Sequence, residues 1–275
     1  MPLAELSAPS ISSAWRSYFR ANQQNPGEMP WGDAYKLSFG ERRAIQHSIQ
    51  QFQLGESSEG RRLLNRARAY SRATSDPDFA EALTLFVQEE QRHSAYLLRF
   101  MRAQRIPELS SHWVDSVFRR LRVLAGLELS LRVLVTAEVI AVPYYRALGR
   151  ATASRLLNAI SSRIVQDEAA HLQFQSSMLS RLGTLRRPMV RRLISRLHRL
   201  FLVGTSFVVW FKHGSVFRAA GYSFELFLRE ALAEFVALEA PARDPFVGYL
   251  FSARAGNPQP AAHITRHPRC EVLQK

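Results

Sequence analysis

The run Gln166-Asp167-Glu168-Ala169-Ala170-His171 carries a carboxylate and an imidazole three residues apart, at Glu168 and His171. In a helix, positions i and i+3 share a face, one turn apart. A pair so placed can hold one metal ion jointly. One Glu-x-x-His is a weak signal, because the pattern arises by chance in many helices. A second copy, Glu90-Gln91-Arg92-His93, lies in another segment of strong helical periodicity. Each copy follows a helical segment with its own inward-looking glutamate. This ordered repetition is far more specific than either motif alone.

Working outward, both copies are set into apolar stripes. Leu156, Ile160 and Ile164 lead to Glu168 and His171, and Phe174 and Met178 follow. That helix is expected from a Thr152 cap to about Leu182. Phe79, Leu83 and Phe86 lead to Glu90 and His93, then Leu97 and Phe100. Ser75-Asp76-Pro77-Asp78 starts this second helix, which runs to about Gln104. Another helix, over about 127–148, carries Leu131, Leu134, Glu138, Val142 and Tyr145. Pro143 should kink it or mark its last turns, and Gly149 should close it. Ahead of these, Ser38-Phe39-Gly40-Glu41 has the spacing of a capping box and predicts one long helix from Phe39 to about Arg72. Its stripe, Ile45, Ile49, Phe52, then Leu63, Ala67 and Tyr70, is interrupted by Glu56 and Glu59 where apolar residues are due. Carboxylates there are costly unless paired or bound to metal.

The expected fold is therefore all-α, a four-helix bundle with a long crossover connection plus extra C-terminal helices. Residues 105–125 form the crossover, with a short helix around Trp113 to Leu121. Residues 1–35 read as an N-terminal extension with a short helix over 11–21, and residues 36–183 as the bundle. Residues 184–240 read as a C-terminal helical appendage, with helices over about 188–211 and from near Ser223 to before Pro241. Residues 241–275, rich in Pro, Gly, Arg and His, read as a flexible tail.

Composition narrows the class. The 275 residues, 47% of them hydrophobic, suffice for one sizeable core. No uncharged apolar stretch of about 18 residues appears, so no transmembrane segment is expected. The nearest run, Leu200 to Phe211, is bracketed by Arg199 and Lys212. The N-terminus does not read as a signal peptide, and the single cysteine, Cys270, rules out an intrachain disulfide and a thiolate metal site. A cytoplasmic protein is the simplest reading. The net charge is +14, and all basic residues except Lys36, Lys212 and Lys275 are arginines. Such a charge permits nucleic acid, acidic lipid or anionic substrates, but it also fits a solvated arginine surface.

The candidate metal ligands are Glu56, Glu59, Glu90, His93, Glu138, Glu168 and His171. Glu59 and Glu90 are 31 residues apart, Glu56 and Glu90 34, and Glu138 and Glu168 30, so spacing does not choose between Glu56 and Glu59. Carboxylate oxygens with two imidazoles suit two iron ions, or manganese, with zinc also allowed. Two carboxylates would bridge the ions, while each histidine and each remaining carboxylate would bind one ion. Buried salt bridges with arginine would account for any one of these residues, but not for the full ordered set. Tyr96, Tyr144 and Tyr145 lie near the heights of the site and could donate hydrogen bonds to it. The aromatic residues Phe201, Phe207, Trp210 and Phe211 could wall a substrate pocket or serve as a docking, membrane-facing or dimer surface. The other histidines, His47, His112, His198, His213, His263 and His267, have no acid three residues before them and read as surface or structural.

Over residues 39–182 the chain resembles the ferritin-like di-iron carboxylate superfamily, and it is nearest to rubrerythrin-like proteins. Gly55-Glu56-Ser57 is similar to the segment that supplies the first iron-binding glutamate there. Glu90-x-x-His93 and Glu168-x-x-His171 match the paired motifs, and Glu138 matches the glutamate of the third helix. The chain departs from rubrerythrins in lacking a cysteine-rich rubredoxin module. It has Ala141 where they carry a second third-helix glutamate. The resemblance implies a di-iron oxidoreductase that uses oxygen or peroxide to oxidise an organic small-molecule substrate. No flavin or nicotinamide motif is visible, so an external electron donor, a reductase or ferredoxin, would be needed. Alternatives are a ferroxidase or iron-binding stress protein without an organic substrate, and a tRNA-hydroxylase-type enzyme. The charge permits a nucleic-acid partner, although no interleaved aromatic and basic pattern speaks for one. A homodimer is also compatible.

Overall fold

The computed structural model describes residues 10–57, 60–109, 126–183 and 187–239. Among these, all regular structure is helical: α1 (Ile11–Gln24), α2 (Phe39–Glu56), α3 (Arg61–Thr74), α4 (Pro77–Ala103), α5 (Leu127–Arg150), α6 (Arg155–Gly183), α7 (Pro188–Ala219) and α8 (Phe224–Glu239). The all-α expectation holds. Trp113–Leu121, His112 and residues 240–275 lie outside the described residues, as does Glu59.

Helix starts follow local chemistry. At α2, the Ser38 hydroxyl accepts from the Glu41 amide at 3.3 Å, and the Glu41 carboxylate accepts from the Ser38 amide at 2.8 Å. Glu41 also accepts from the Ala153 amide at 2.8 Å, tying this start to the α5–α6 turn. At α4, Asp76 caps the first turn, Pro77 occupies its first position, and the Asp76 carboxylate accepts from Ser12 (2.7 Å) and Arg181 (3.0 Å). One capping residue thus links α1, α4 and α6.

Four boundaries differ from expectation. The long helix expected over 39–72 is two helices, because Gly60 is left-handed at φ +58° and breaks the run. The serines and glycines of Gly55-Glu56-Ser57-Ser58-Glu59-Gly60 hold a helix poorly. Gly149 does not close α5, which runs on to Arg150; a Cβ at Gly149 would meet Ser161 Cβ at 3.1 Å, so this glycine allows α5 and α6 to approach closely. Ser154, not Thr152, caps α6, its hydroxyl accepting from the Leu157 amide at 3.2 Å. α7 also continues beyond Phe211, because the polar run that follows includes His213, buried against Ser48 at 2.8 Å.

Packing places α2, α4, α5 and α6 around one interior. α5 and α6 share the most extensive contact, α2 packs on α4, and α4 packs on α6. The stripe residues Ile45, Ile49, Phe79, Leu83, Phe86, Leu97, Phe100, Leu131, Ile160, Ile164 and Phe174 are buried. Residues 10–35 contribute α1, which lies along α4 with Trp15 and Phe19 buried, both edge-on to Phe174 and Phe19 also edge-on to Phe86. α7 packs on α5 and α2, and α8 on α5, α6 and α7. By length and composition alone α7 could cross a membrane, with 39% of its most apolar window buried.

Candidate metal centre

Midway along α4, α5 and α6, and at the end of α2, the apolar stripes give way to acids and histidines. α4 supplies Glu90 and His93, α6 supplies Glu168 and His171, α2 ends on Glu56, and α5 carries Glu138. Two groups form. Glu56, Glu90, His93 and Glu168 offer one donor atom each, all within 4.8 Å of one another; so do Glu90, Glu138, Glu168 and His171. Glu90 and Glu168 belong to both. His93, Glu138, Glu168 and His171 are buried, and Glu90 is only slightly exposed.

The inward-facing atoms lack hydrogen-bond partners. His93 Nδ1, His171 Nδ1, Glu90 Oε1, Glu138 Oε2 and both oxygens of Glu168 are buried and unsatisfied. His171 Nδ1 lies 2.7 Å from Glu90 Oε1 and 3.4 Å from Glu168 Oε2, and His93 Nδ1 lies 3.9 Å from Glu168 Oε1. Orphaned buried polar atoms are costly and rare. Six converge, five from the two motifs and one from Glu138, and buried Glu and His groups of this kind could hold a metal ion.

The outward nitrogens are fully engaged. His93 Nε2 meets Asp167 Oδ2 at 3.0 Å, and His171 Nε2 meets Glu89 Oε2 at 3.0 Å. Each histidine is therefore braced by the acid that directly precedes the other motif's glutamate. Such a carboxylate fixes the ring and turns its second nitrogen inward. Asp167 also accepts from Arg163 at 2.9 and 3.0 Å, Arg92 pairs with Glu89, and Asn22 of α1 donates to both Glu89 and Asp167. Sequence reasoning passed over Glu89, Asp167 and Asn22. The doubled acids Glu89-Glu90 and Asp167-Glu168 were the visible signal for the first two, whereas Asn22 reaches the site only through tertiary packing.

Electrostatics follow from burial and crowding. Burial, and then the charges of Glu90 and Glu168, push the Glu56 carboxyl well above the usual carboxylate range. Burial, then Glu168 and Glu90, do the same to Glu138. Burial and Glu90 also raise Glu168. Burial opposes the charge of Glu90 too, but His171 holds its carboxyl at about 2. For both histidines burial favours the neutral ring, yet the surrounding acids raise them overall. Carboxylates crowded in a low-dielectric interior retain protons unless a cation takes their place.

Of the tyrosines, Tyr145 donates to Glu56 Oε1 at 2.5 Å. Tyr144 accepts from Ser48 at 2.9 Å and stacks on Phe52. Tyr96 packs edge-on against Trp31, and among the described residues no hydrogen bond joins it to the cluster. Gln175 donates to Glu138. At the aromatic end of α7, Trp210 and Phe207 pack on Phe224 of α8, and Phe211 is exposed. His198 and His213 are buried and hydrogen-bonded to Thr136 (2.9 Å) and Ser48, while His47 is exposed beside Gln51.

Comparison with protein-family models, characterised proteins and solved structures finds no match.

Proposed function

We propose that this centre holds two divalent metal ions, iron in the first place and manganese as the substitute, in a ferritin-like four-helix site. Glu90 and Glu168, which belong to both donor groups, would be shared between the two ions. Glu56 and His93 complete one ion's protein ligands, and Glu138 and His171 complete the other's. The reading rests on one observation: glutamates and histidines, six of whose atoms are buried without a hydrogen-bond partner, fall into two groups that share two carboxylates. Carboxylate oxygen with one imidazole per ion is a donor set matched to iron(II) or manganese(II).

A ferrous pair, when bound, reduces dioxygen and so supplies an oxidant. We assign the chain to oxygen-dependent oxidoreductases, acting on an organic small molecule with electrons from an external donor. Its own residues prepare the site. Asp167 and Glu89 hold the histidine rings, Tyr145 orients Glu56, and Gln175 orients Glu138. Phe19 and Phe86, with ring centroids 5.9 and 4.6 Å from that of His171, keep water from its side of the centre. Burial and the neighbouring acids shift Glu56 and Glu138 towards the protonated form, so metal binding there would displace protons.

A second reading, ferroxidase or iron buffering without an organic substrate, is favoured by one feature. At the aromatic end of α7, Phe207 and Trp210 pack on Phe224 of α8 and Phe211 is exposed, so these three rings are engaged elsewhere than at the centre. Oxygen uptake that couples to iron alone selects this reading, and uptake that needs substrate and reductant selects the first. Both depend on the metal pair, which is tested by loading the anaerobic protein with Fe(II), measuring metal by elemental analysis, and recording Mössbauer spectra before and after oxygen. Two ions per chain that form an exchange-coupled pair are expected. Less than one ion per chain without coupling, or unchanged metal content in both Glu90→Ala and Glu168→Ala, would sink the assignment.

A further inference from the structure

α7 has two apolar faces: among the described residues one is buried against the body, while the other is largely exposed, with Phe207 of that outer face meeting Phe224 of α8. On the inner face His198, Leu202, Ser206, His213, Val216 and Phe217 are buried. His198 meets Thr136 at 2.9 Å and His213 meets Ser48 at 2.8 Å, so this side is fixed to the body by specific polar contacts. On the outer face Met189, Leu193, Leu197, Leu200, Phe207 and Phe211 recur at helical steps and are 81, 56, 57, 68, 52 and 90% exposed. With 1.5 Å per residue this stripe is about 33 Å long, far more than scattered surface hydrophobics require.

Charge identifies what fits it. At 100° per residue, exposed Arg192, Arg196 and Arg199 border the stripe on one side, and exposed Arg187 and Lys212 border it on the other. Between Glu168 and Glu225 the sequence has nine basic residues and no acidic one. A second copy meeting this face would bring like charge against like. The chain's own residues 242–275, with five basic and two acidic residues, offer no compensating charge either. A negatively charged surface with an apolar interior satisfies both the arginines and the stripe. We propose that the outer face of α7 seats the protein on an anionic lipid bilayer, lying in the headgroup region rather than crossing it. The polar contacts of the inner face oppose a spanning arrangement.

The test uses the full-length protein with two kinds of vesicle, phosphatidylcholine alone and phosphatidylcholine mixed with phosphatidylglycerol. Co-flotation with the anionic vesicles and weakening by salt are expected. Arg192→Gln, Arg196→Gln and Arg199→Gln should each reduce partitioning roughly fivefold. Leu200→Ser combined with Phe211→Ser should reduce it at least tenfold on the order of the apolar area removed. All these positions are exposed, so circular dichroism and iron loading should match the parent chain. Absence of partitioning, equal partitioning on neutral vesicles, or no effect of the Leu200/Phe211 pair would overturn the proposal. So would a lipid-free dimer that this pair converts to monomer, or arginine-dependent binding of single-stranded RNA in place of vesicles.

Discussion

Each histidine of the centre is braced at its far nitrogen by an acid from the opposite motif helix. Asp167 holds His93 and Glu89 holds His171, both at 3.0 Å. Supporting carboxylates of this kind typically raise metal affinity by about 10–100-fold. Asp167→Asn and Glu89→Gln should therefore weaken metal binding by about that factor, measured by competitive titration of the folded protein with Co(II) or Fe(II). Asn22→Ala is the control: Asn22 donates to both acids but touches neither histidine, so it should change affinity less than either acid variant. Equal losses in all three would show that the cluster acts only through general stability. At this scale the candidate ligands were readable because polar residues fall where an apolar stripe predicts Leu or Phe. The bracing acids lie one position earlier, outside the stripe, and nothing in a one-dimensional pattern says which helix they will face. Tyr96 and Tyr145 illustrate the same limit. Both sit at suitable heights, but rotation about the helix axis sends one to Glu56 and the other to Trp31.

Helix ends decide which residues of an element can reach the centre. The break after α2 makes Glu56 the last helical residue, and Gly60 turns the chain into α3. A side chain at Gly60 would be strained at φ +58° and its Cβ would meet Val87 Cγ2 at 3.0 Å. Gly60→Ala should cost about 1–2 kcal/mol, read as a lower urea midpoint with unchanged slope; a neutral or stabilising effect would mean that the turn relaxes. The contact of α7 with α5 gives a pH-dependent test. Burial and the nearby Arg132 lower His198 to about 4, against 6.5 for a free imidazole. Because the folded value is depressed, the unfolded chain takes up the proton first. Stability from this group is intact above pH 6.5, declines as pH falls from 6.5 to 4, and is reduced by on the order of 2–3 kcal/mol at the lower limit. Urea midpoints of the parent and His198→Gln over that window should converge as pH falls, and parallel curves would remove His198 as the cause. Capping motifs made the starts of α2 and α4 legible in sequence. The α2–α3 break and the true end of α7 were not, because periodic stripes on both sides of Gly60 concealed the first and a buried contact of His213 with Ser48 extends the second.

At the scale of the whole molecule, the helical class was legible from periodicity and spacing, while the position of α1 was not. Trp15 and Phe19 look like an ordinary short amphipathic stretch, and only the fold brings them against Phe86, Phe174 and His171. The result is a molecule whose middle is a compromise. Four glutamates share one low-dielectric interior, and burial raises Glu56, Glu138 and Glu168 towards the neutral form, because charge there is costly. A cation that displaces protons there also supplies the partner missing from the orphaned donors, so binding should stabilise the whole chain. At a free metal concentration about a hundred times Kd, the gain is about 2.7 kcal/mol, a rise in Tm of roughly 5–10 °C for a body of this size. Differential scanning calorimetry with Mn(II), which avoids oxidation during heating, should show that rise, and a chelator should reverse it. Glu168→Gln removes an oxygen shared by both donor groups but keeps the side chain's shape and a neutral form close to the protonated acid. It should fold at least as stably as the metal-free parent and show no Mn(II)-dependent rise. A rise of the same size in that variant would place the ion elsewhere on the protein and leave the central carboxylates without the role that their burial implies.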